Sequence, residues 1–256
     1  MKVLAFFAHP DDETMLCGGT LALLAREGAS IDYLCATRGE GGELGDPPLG
    51  SRTDASRLRA SELACAVEAL GGGRLDFLPY IDPLVGPDNE LFAFTDNFEE
   101  LTAQLQQVIT RRKVEALISH GSTGEYGHPA HRLCHRAAST VIQRLGAKAP
   151  LFYTVQAAYP AAPKPHLVNP NDPAHLILDI TSVLEQKTNA ALCHKTQHAL
   201  FVRRKSEELG RPVTVPEVII REEALHRAYP PVNSPLVDGI AHLLRLSGAV
   251  IAEGNN

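Results

Sequence analysis

The chain has 256 residues, of which 44% are hydrophobic and 21% charged, and its formal net charge is −6. This length suits one large α/β domain or two small ones, and the composition is that of an ordinary globular protein. The negative charge, the lack of tryptophan and the few other aromatic residues argue against a nucleic-acid partner, which favours a basic face and stacking rings. No apolar run reaches the roughly 18 residues of a membrane span.

The start of the chain and the cysteines both predict a cytoplasmic location. Met1 and Lys2 lead straight into an apolar run, without the layout of a secretory signal. The cysteines are odd in number and scattered, and no two form a Cys-x-x-Cys motif, so reduced thiols are predicted. They stand at positions 17, 35, 65, 134 and 193.

Strand-like and helix-like segments alternate through the first half of the chain. Short apolar runs predict strands, and apolar residues at helical spacing predict helices. Glycines end several of these helices, and Pro129 suits the first turn of one. In chain order we predict a strand at 3–8, a helix at 13–26, a strand at 31–37, a helix at 52–70, a strand at 75–78, a helix at 98–112, a strand at 114–119, a helix at 129–145 and a strand at 151–157.

The second half is less regular. Five prolines fall within 158–175, and we expect an irregular surface excursion or a lid there. A strand is predicted at 176–180, and helices at 181–194, 199–209 and 235–247. We interpret 1–256 as a single domain, with a core at 1–157 and a loop plus α/β extension at 158–256.

Strands that alternate with helices at this spacing predict a doubly wound, mostly parallel α/β sheet with helices on both faces. Ligands of such sheets bind beyond the carboxyl ends of the strands. The segments HPDDE at 9–13, TRGEGGE at 37–43 and 120–131 each follow a predicted strand. All three therefore open on the same edge.

The segment HPDDE places one imidazole and three carboxylates at the end of a buried strand. Negative charge is rarely concentrated there unless a cation or a proton transfer needs it. His9 and Asp12, three residues apart, could face one metal ion, which would leave Asp11 free beside it. A purely structural alternative is that the aspartates cap the next helix and Glu13 complements its dipole.

A second cluster, YGHPAH at 126–131, places His128 and His131 at the junction of a loop and a helix. Two histidines and one carboxylate with an open position form a typical catalytic zinc site, and ferrous iron also accepts such donors. Either cluster alone is weak evidence. Their occurrence together at one sheet edge favours a metal site.

Other residues near these clusters have structural interpretations. The glycine-rich loop 38–50 matches no phosphate-binding motif, so we expect its glycines to let the backbone approach the metal site. His120 is expected to pack beside the site, and His194 suits a core position as well as a site position. His135, one helical turn after His131, is a weak candidate ligand.

The motifs AHPDDE, TRGEGGE and YGHPAH resemble those of the PIG-L / LmbE-like N-acetylglucosaminyl deacetylase family. The resemblance covers most of residues 1–157 and continues weakly into KTNAALCHKTQ at 187–197. It implies a Rossmann-like, metal-dependent enzyme that hydrolyses the acetamide of an N-acetylglucosamine-type sugar or conjugate.

The resemblance also implies roles by position. His9, Asp12 and His131 would bind one Zn²⁺ per chain, with Fe²⁺ or Mn²⁺ as other candidates. Asp11 would be the general base that takes a proton from the attacking water. A protonated His128 would lie next to the developing oxyanion.

Further positions match the family more loosely. Tyr126 corresponds to a tyrosine near the scissile carbonyl, Arg59 and Asp82 lie where sugar contacts are placed, and Arg38 is either a substrate contact or structural. One departure is Ala130, where the family has aspartate. Either another carboxylate replaces that aspartate, or the site is tuned differently.

Three alternatives stay open at this point. A thiol-conjugate amidase would share the fold and the metal. A phosphoesterase would favour two metals and more carboxylates, which the second histidine cluster opposes. A non-catalytic sugar-binding homologue would not need Asp11 or His128. The expected partner is a small N-acetylated amino sugar or conjugate, with homo-oligomers possible, and the loops 38–50, 80–97 and 158–175 would select it.

Overall fold

A computed structural model describes residues 1–232 and 236–254 of the chain. Its first half alternates strands and helices as predicted, and the helices at 98–112 and 129–145 have the predicted bounds. The elements are β1 (Lys2–Phe7), α1 (Asp12–Arg26), β2 (Ser30–Cys35), α2 (Ala55–Ala69), β3 (Arg74–Phe77), α3 (Phe98–Arg112), β4 (Ala116–Ser119), α4 (Pro129–Leu145) and β5 (Leu151–Val155).

The second half contains more strands than the sequence predicts. The predicted strand and the first two helices are present, whereas the last helix starts at Gly239 and position 235 lies outside the described residues. The elements are β6 (Ala157–Ala158), β7 (Asn169–Pro173), β8 (Leu176–Asp179), α5 (Leu184–Cys193), α6 (His198–Leu209), α7 (Val215–Val218), β9 (Glu222–Tyr229), α8 (Gly239–Leu246) and β10 (Val250–Ala252).

Eight strands form one sheet in the order β10-β8-β9-β5-β4-β1-β2-β3. The five strands β1 to β5 are parallel to one another. β9 pairs antiparallel with β5, and the extension adds β8 and β10 beyond it. The predicted doubly wound, mostly parallel α/β fold is therefore confirmed, and the extension belongs to the same sheet.

Helices cover both faces because alternate residues of the central strands point to opposite sides. In β1, Val3 and Ala5 join an apolar core with α1, α2, α5 and α8 on one face. Leu4 and Phe6 join a second core with α3 and α4 on the other. In the part of the chain that is described, no helix is long and apolar enough to cross a membrane.

The proline-rich stretch 158–175 differs from expectation. It is irregular only to about position 168, and Asn169–Pro173 then forms β7, which pairs in parallel with β6. Asn169 is buried, and its side chain binds backbone carbonyls and the loop after β4. These side-chain bonds hold a segment whose prolines cannot supply a regular ladder.

A buried carboxylate of the extension, Glu223, binds the core helix α1. α1 is kinked at Cys17, and the Glu223 carboxylate in β9 accepts the backbone amides of Gly19 and Thr20 just past the kink. Lys187 of α5 donates to the same carboxylate at 2.7 Å. Both charged groups are almost fully buried, and these hydrogen bonds offset their desolvation.

The prediction that all five cysteines are reduced thiols is wrong for two of them. Cys65 in α2 and Cys193 at the end of α5 form a disulfide with a Cα–Cα distance of 5.7 Å. The other three, Cys17, Cys35 and Cys134, are free, as predicted, and they are buried. Sequence spacing could not reveal the pair, because its members are 128 residues apart and meet only where two helices pack.

Removing this link by Cys65→Ser together with Cys193→Ser should lower the free energy of unfolding by about 2–5 kcal/mol, because a long loop in the unfolded chain is no longer closed. Denaturant titration of the wild type and the double variant measures the loss. Each single variant is the control and should lose nearly as much as the double. A count of five reactive thiols in the denatured, unreduced wild type would contradict the bond; three are expected.

Candidate metal centre

The candidate site lies where the sheet reverses its winding order. β1 and β4 are neighbours, but the chain proceeds from β1 to β2 on one side and from β4 to β5 on the other. Loops from the carboxyl ends of two such strands diverge and leave a crevice between them. The HPDDE segment after β1 and residues 120–131 after β4 meet in this crevice, as the sequence predicts.

Asp12 lies at the centre of three imidazoles. Its Oδ2 lies 3.3 Å from His9 Nδ1 and 3.4 Å from His120 Nε2, and its Oδ1 lies 3.3 Å from His131 Nε2. Burial raises the pKa of Asp12, but the charges of His131 and His120 outweigh burial and hold that pKa well below its usual range. Asp12 is therefore a carboxylate, able to bind a cation.

Glu125 is a site residue that the sequence analysis missed. Its Oε2 lies 2.6 Å from His131 Nδ1 and 3.0 Å from His120 Nδ1, and its Oε1 accepts from the backbone of Gly121. A carboxylate behind a ligand histidine fixes the ring and its tautomer. Glu125 thus supplies a buried carboxylate to a site that carries Ala130 in place of the family aspartate. In the sequence, the feature that points to this role is a glutamate six residues before the candidate ligand His131.

The donors fit a divalent cation. His131 Nδ1 is engaged by Glu125, whereas its buried Nε2 has no hydrogen-bond partner and faces an oxygen of Asp12. With Nδ1 as the donor, two acceptors face each other, an arrangement that a cation stabilises. Possible ligand atoms lie within 4.8 Å of one another in two buried groups that share this ring: His9, His128 and His131, and Asp12, His120 and His131.

His9 is held between two carboxylates. Its Nε2 lies 3.2 Å from Asp82 Oδ1, on the side opposite Asp12. Burial lowers the pKa of His9, but the charge of Asp82 and the hydrogen bonds to Asp12 and Asp82 outweigh it and raise the pKa to about 9. Asp82, predicted as a sugar contact, therefore contacts a candidate metal ligand directly.

Asp11 lies beside the cluster of Asp12 and its histidines, and it is held by hydrogen bonds to Arg59 and Glu13. Arg59, which is buried, donates to Asp11 Oδ2 at 3.2 Å and to the carbonyls of Pro10 and Gly39. Glu13 accepts the backbone amide of Asp11, and His194 in turn lies 3.2 Å from Glu13. Burial raises the pKa of Asp11 to about 6, although Arg59 opposes it. Arg59 thus holds the side chain of Asp11 in position.

A side chain on Gly39 would clash with the Arg59 guanidinium, and its φ of +68° also favours glycine. The glycine-rich loop thus passes close to Arg59, the residue that holds Asp11. Arg38 in the same loop lies over the ring of Phe77, 4.7 Å from its centroid, and lines neither cavity of the site. The structure does not bring Arg38 to the cluster.

His128 caps α4 and is neutral in this arrangement. Its Nδ1 accepts the backbone amide of Ala130, and its ring stacks on His131 with a centroid distance of 4.5 Å. Burial, then the positive charges of His9 and His131, lower the pKa of His128 to about 3. Because Nδ1 accepts that amide, a neutral His128 carries its proton on Nε2, whereas the resemblance implies a protonated ring.

Two further aromatic groups flank the cluster. Tyr126 is 55% exposed, and its ring lies 5.5 Å from that of His131 and 5.7 Å from that of His128. His135 supports the loop instead of joining the donors, because its Nδ1 lies 3.0 Å from the carbonyl of His120. His120 itself is in contact with Asp12 and Glu125, closer to the centre than predicted.

Two cavities open on the cluster and share Asp11, Asp12, Tyr126 and Leu200. The first has a volume of about 700 Å³ and extends towards α6 and the 163–167 segment. The second, which we call the polar cavity, has a volume of about 620 Å³. Its polar lining includes Arg52, Arg59, Asp82, Asn89 and Gln197.

The fold and the buried cluster define an α/β protein with a candidate divalent-metal site at the switch point of its sheet. Residues 4–142, more than half of the chain, match the model of the family PIG-L: GlcNAc-PI de-N-acetylase. The chain belongs to this family.

Curated relatives cover most of the chain. A 1D-myo-inositol 2-acetamido-2-deoxy-alpha-D-glucopyranoside deacetylase of Rhodococcus opacus is 27% identical and spans 86% of this chain and 91% of its own length. A protein of the same name from Rhodococcus jostii is 27% identical over 94% of this chain and 99% of its own.

Solved structures share the fold. The 4-carboxy-2-hydroxymuconate hydratase GalB from Pseudomonas putida superposes with a TM-score of 0.61 at 22% identity, over 92% of this chain and 99% of GalB. The N,N'-diacetylchitobiose deacetylase from Pyrococcus horikoshii gives 0.60 at 18% identity, over 88% and 82%. Because these neighbours are named for different reactions, the fold alone does not identify the reaction.

Metal content provides a test of the cluster. His131→Ala should abolish stoichiometric binding of Zn²⁺, while Glu125→Gln should weaken it about 10- to 100-fold because the ring of His131 loses its orienting carboxylate. Competition with a chromophoric chelator measures both affinities. Exposed Glu115→Gln is the matched control and should bind as the wild type does. Stoichiometric zinc retained by His131→Ala would exclude that residue as a ligand.

Proposed function

We propose that the chain is a metal-dependent hydrolase that removes the acetyl group from an N-acetylglucosamine-type sugar or conjugate. The observation that carries the proposal is the buried His131 Nε2, which has no hydrogen-bond partner and lies 3.3 Å from Asp12 Oδ1, with Asp11 beside them on Arg59. The relatives from both Rhodococcus strains are named as deacetylases of an acetamido sugar linked to inositol, which supports the same class of substrate here.

His9, Asp12 and His131 would hold one Zn²⁺ per chain, and Fe²⁺ or Mn²⁺ would also suit these donors. Such an ion, when bound, lowers the pKa of a water ligand and polarises a carbonyl oxygen. His120 and Glu125 hold Asp12 and His131 in place from behind. A binding-only protein needs no acid–base group, so the intact Asp11 favours catalysis over a sugar-binding role.

Asp11 would act as the general base. A pKa of about 6 keeps Asp11 ionised at neutral pH yet basic enough to take a proton from water. Arg59 holds one of its oxygens, so the other can face the reacting water. Asp11 then carries the proton that the departing amine needs, because neutral His128 has only one proton and donates it elsewhere.

His128 would stabilise the oxyanion as a neutral donor. The backbone amide of Ala130 occupies Nδ1, so Nε2–H is left to donate to the oxygen that becomes negative. Tyr126 stands at the opening shared by both cavities and can add a second donor from its hydroxyl. Products would be acetate and a free amine.

The polar cavity suits the sugar. Charged and amide side chains such as Arg52, Asn89 and Gln197 offer the donors and acceptors that ring hydroxyls require. We propose a small N-acetylated amino sugar or conjugate as the partner. The single-domain organisation, homo-oligomers and a cytoplasmic location stay predictions, and the disulfide removes the thiol argument for the last of these.

Acetate release from N-acetylglucosamine, diacetylchitobiose and their conjugates, with and without chelator, tests this function. Asp11→Asn should keep stoichiometric metal and lose turnover by about 100-fold or more, because the amide cannot accept the proton. Exposed Asp88→Asn is the control and should keep the wild-type rate. Wild-type turnover by metal-loaded Asp11→Asn would refute the assignment of the base. Release of a larger acyl group instead of acetate would identify an amidase.

The pH dependence follows from the raised pKa of Asp11. Protonation of this carboxyl removes the base, so kcat/KM should fall as the pH decreases through about 6 and level off above it. Initial rates between pH 5 and 8 at fixed metal loading measure this limb. If the acid limb of metal-loaded Asp11→Asn has the same midpoint as that of the wild type, another group is responsible.

A further inference from the structure

The larger cavity is lined by both apolar and positive side chains, and we call it the cationic cavity. The apolar residues come from α1, α6, the end of α7 and the segment after it: Met15, Leu16, Phe201, Val218, Ile219 and Ile220. The positive residues are Lys164, Arg204 and Lys205, and His166 also lines the cavity.

Apart from Asp11 and Asp12 of the cluster, the lining of the cationic cavity holds three cations and two carboxylates. Glu208 is shared by Arg204 at 3.2 Å and Lys205 at 3.3 Å, so one carboxylate faces two cations. The other carboxylate there, Glu217, is bound by Arg211 at 2.9 Å and caps α7. Apart from Asp11 and Asp12, the charges of the lining sum to a positive value only when Lys164 is counted.

Lys164 is only partly exposed and forms no ion pair among residues 1–232 and 236–254. Its Nζ donates to the carbonyl of Val218 at 3.0 Å. The pKa of Lys164 is lowered to about 8, mainly by burial and further by the charges of Lys187 and Lys205. The pKa of His166 is also lowered, mainly by burial and further by the charges of Arg204 and Lys164. An anion bound here would offset this repulsion and gain charge-assisted hydrogen bonds.

The size of the cavity excludes an acetyl methyl group as its only occupant. A volume of about 700 Å³ is that of a site for a whole small molecule. Amide hydrolysis at Asp11 and Asp12 places the acyl part of the substrate on one side of the reacting carbon and the amine part on the other. Two cavities that meet at these residues can each take one part.

We propose that the cationic cavity binds an apolar arm of the substrate, several carbons long, that ends in a carboxylate or phosphate. This inference rests on the proposed hydrolase function and adds the chemistry of the second half of its substrate. The arm belongs either to the acyl group or to the group linked to the sugar. Both sources present the same chemistry to Lys164 and Arg204, and matched substrates separate them.

Two pairs of substrates form the test. N-adipoylglucosamine is compared with N-hexanoylglucosamine for the acyl arm, and the carboxypentyl glycoside of N-acetylglucosamine with its hexyl glycoside for the linked arm. In one pair the anionic member should have a kcat/KM at least about tenfold above that of its neutral partner. The pair that shows the ratio identifies the arm.

Lys164→Gln and Arg204→Gln should each reduce this anionic-to-neutral ratio several-fold, and the double variant should bring it close to one. Arg111→Gln on α3 loses the same charge from an exposed position that lines neither cavity, and it should leave the ratio unchanged. Equal ratios in wild type and double variant, or ratios near one in both pairs, would overturn the inference.

Calorimetric binding to zinc-loaded Asp11→Asn separates this inference from the proposed function. The anionic member of one pair should bind this variant at least about tenfold more tightly than its neutral partner, and Lys164→Gln in the same background should abolish the difference. If no substrate is hydrolysed but this preference is measured, the proposed reaction fails and the cavity assignment stands. If acetate is released but neither binding nor kcat/KM distinguishes the charge, only the cavity assignment fails.

Discussion

The arrangement of the site depends on one buried carboxylate that three imidazoles surround. Asp12 can stay ionised inside the protein only because His9, His120 and His131 face it. Glu125 stabilises the same cluster from the far side, so two negative groups and three rings form one network. Such a network is stable when protons or a cation balance the negative charges of the two carboxylates. The candidate metal site can therefore lie next to the apolar core at the same edge of the sheet.

Much of the core could be predicted because its strands are plainly apolar. β1 and β4 are buried on both faces, and helices such as α3 and α4 show apolar residues at helical spacing. Parallel topology then requires the loops after β1 and β4 to lie together. For this reason the approach of His9 and Asp12 to His131 follows from sequence, whereas Tyr126 and Asp82 are placed only loosely by their motifs.

The remaining features depend on contacts that no local pattern records. β9 was missed because its inward residues include Glu223 and Arg227, whose partners Lys187 and Asp238 lie elsewhere in the chain. The role of Glu125 depends on a turn in which this residue itself has a φ of 57°. The cationic cavity is formed by side chains from five separate segments, and their combined charge is visible only after folding.

Asp11 has a φ of 114°, in the region that glycine adopts freely and other residues adopt at a cost of about 1–3 kcal/mol. The amide that Glu13 accepts and the guanidinium of Arg59 hold it there. Glycine at this position would relieve the backbone strain, but it would also remove the carboxylate that pairs with buried Arg59 and that we propose as the base. Backbone relaxation and the proposed reaction therefore make opposite demands on this one residue.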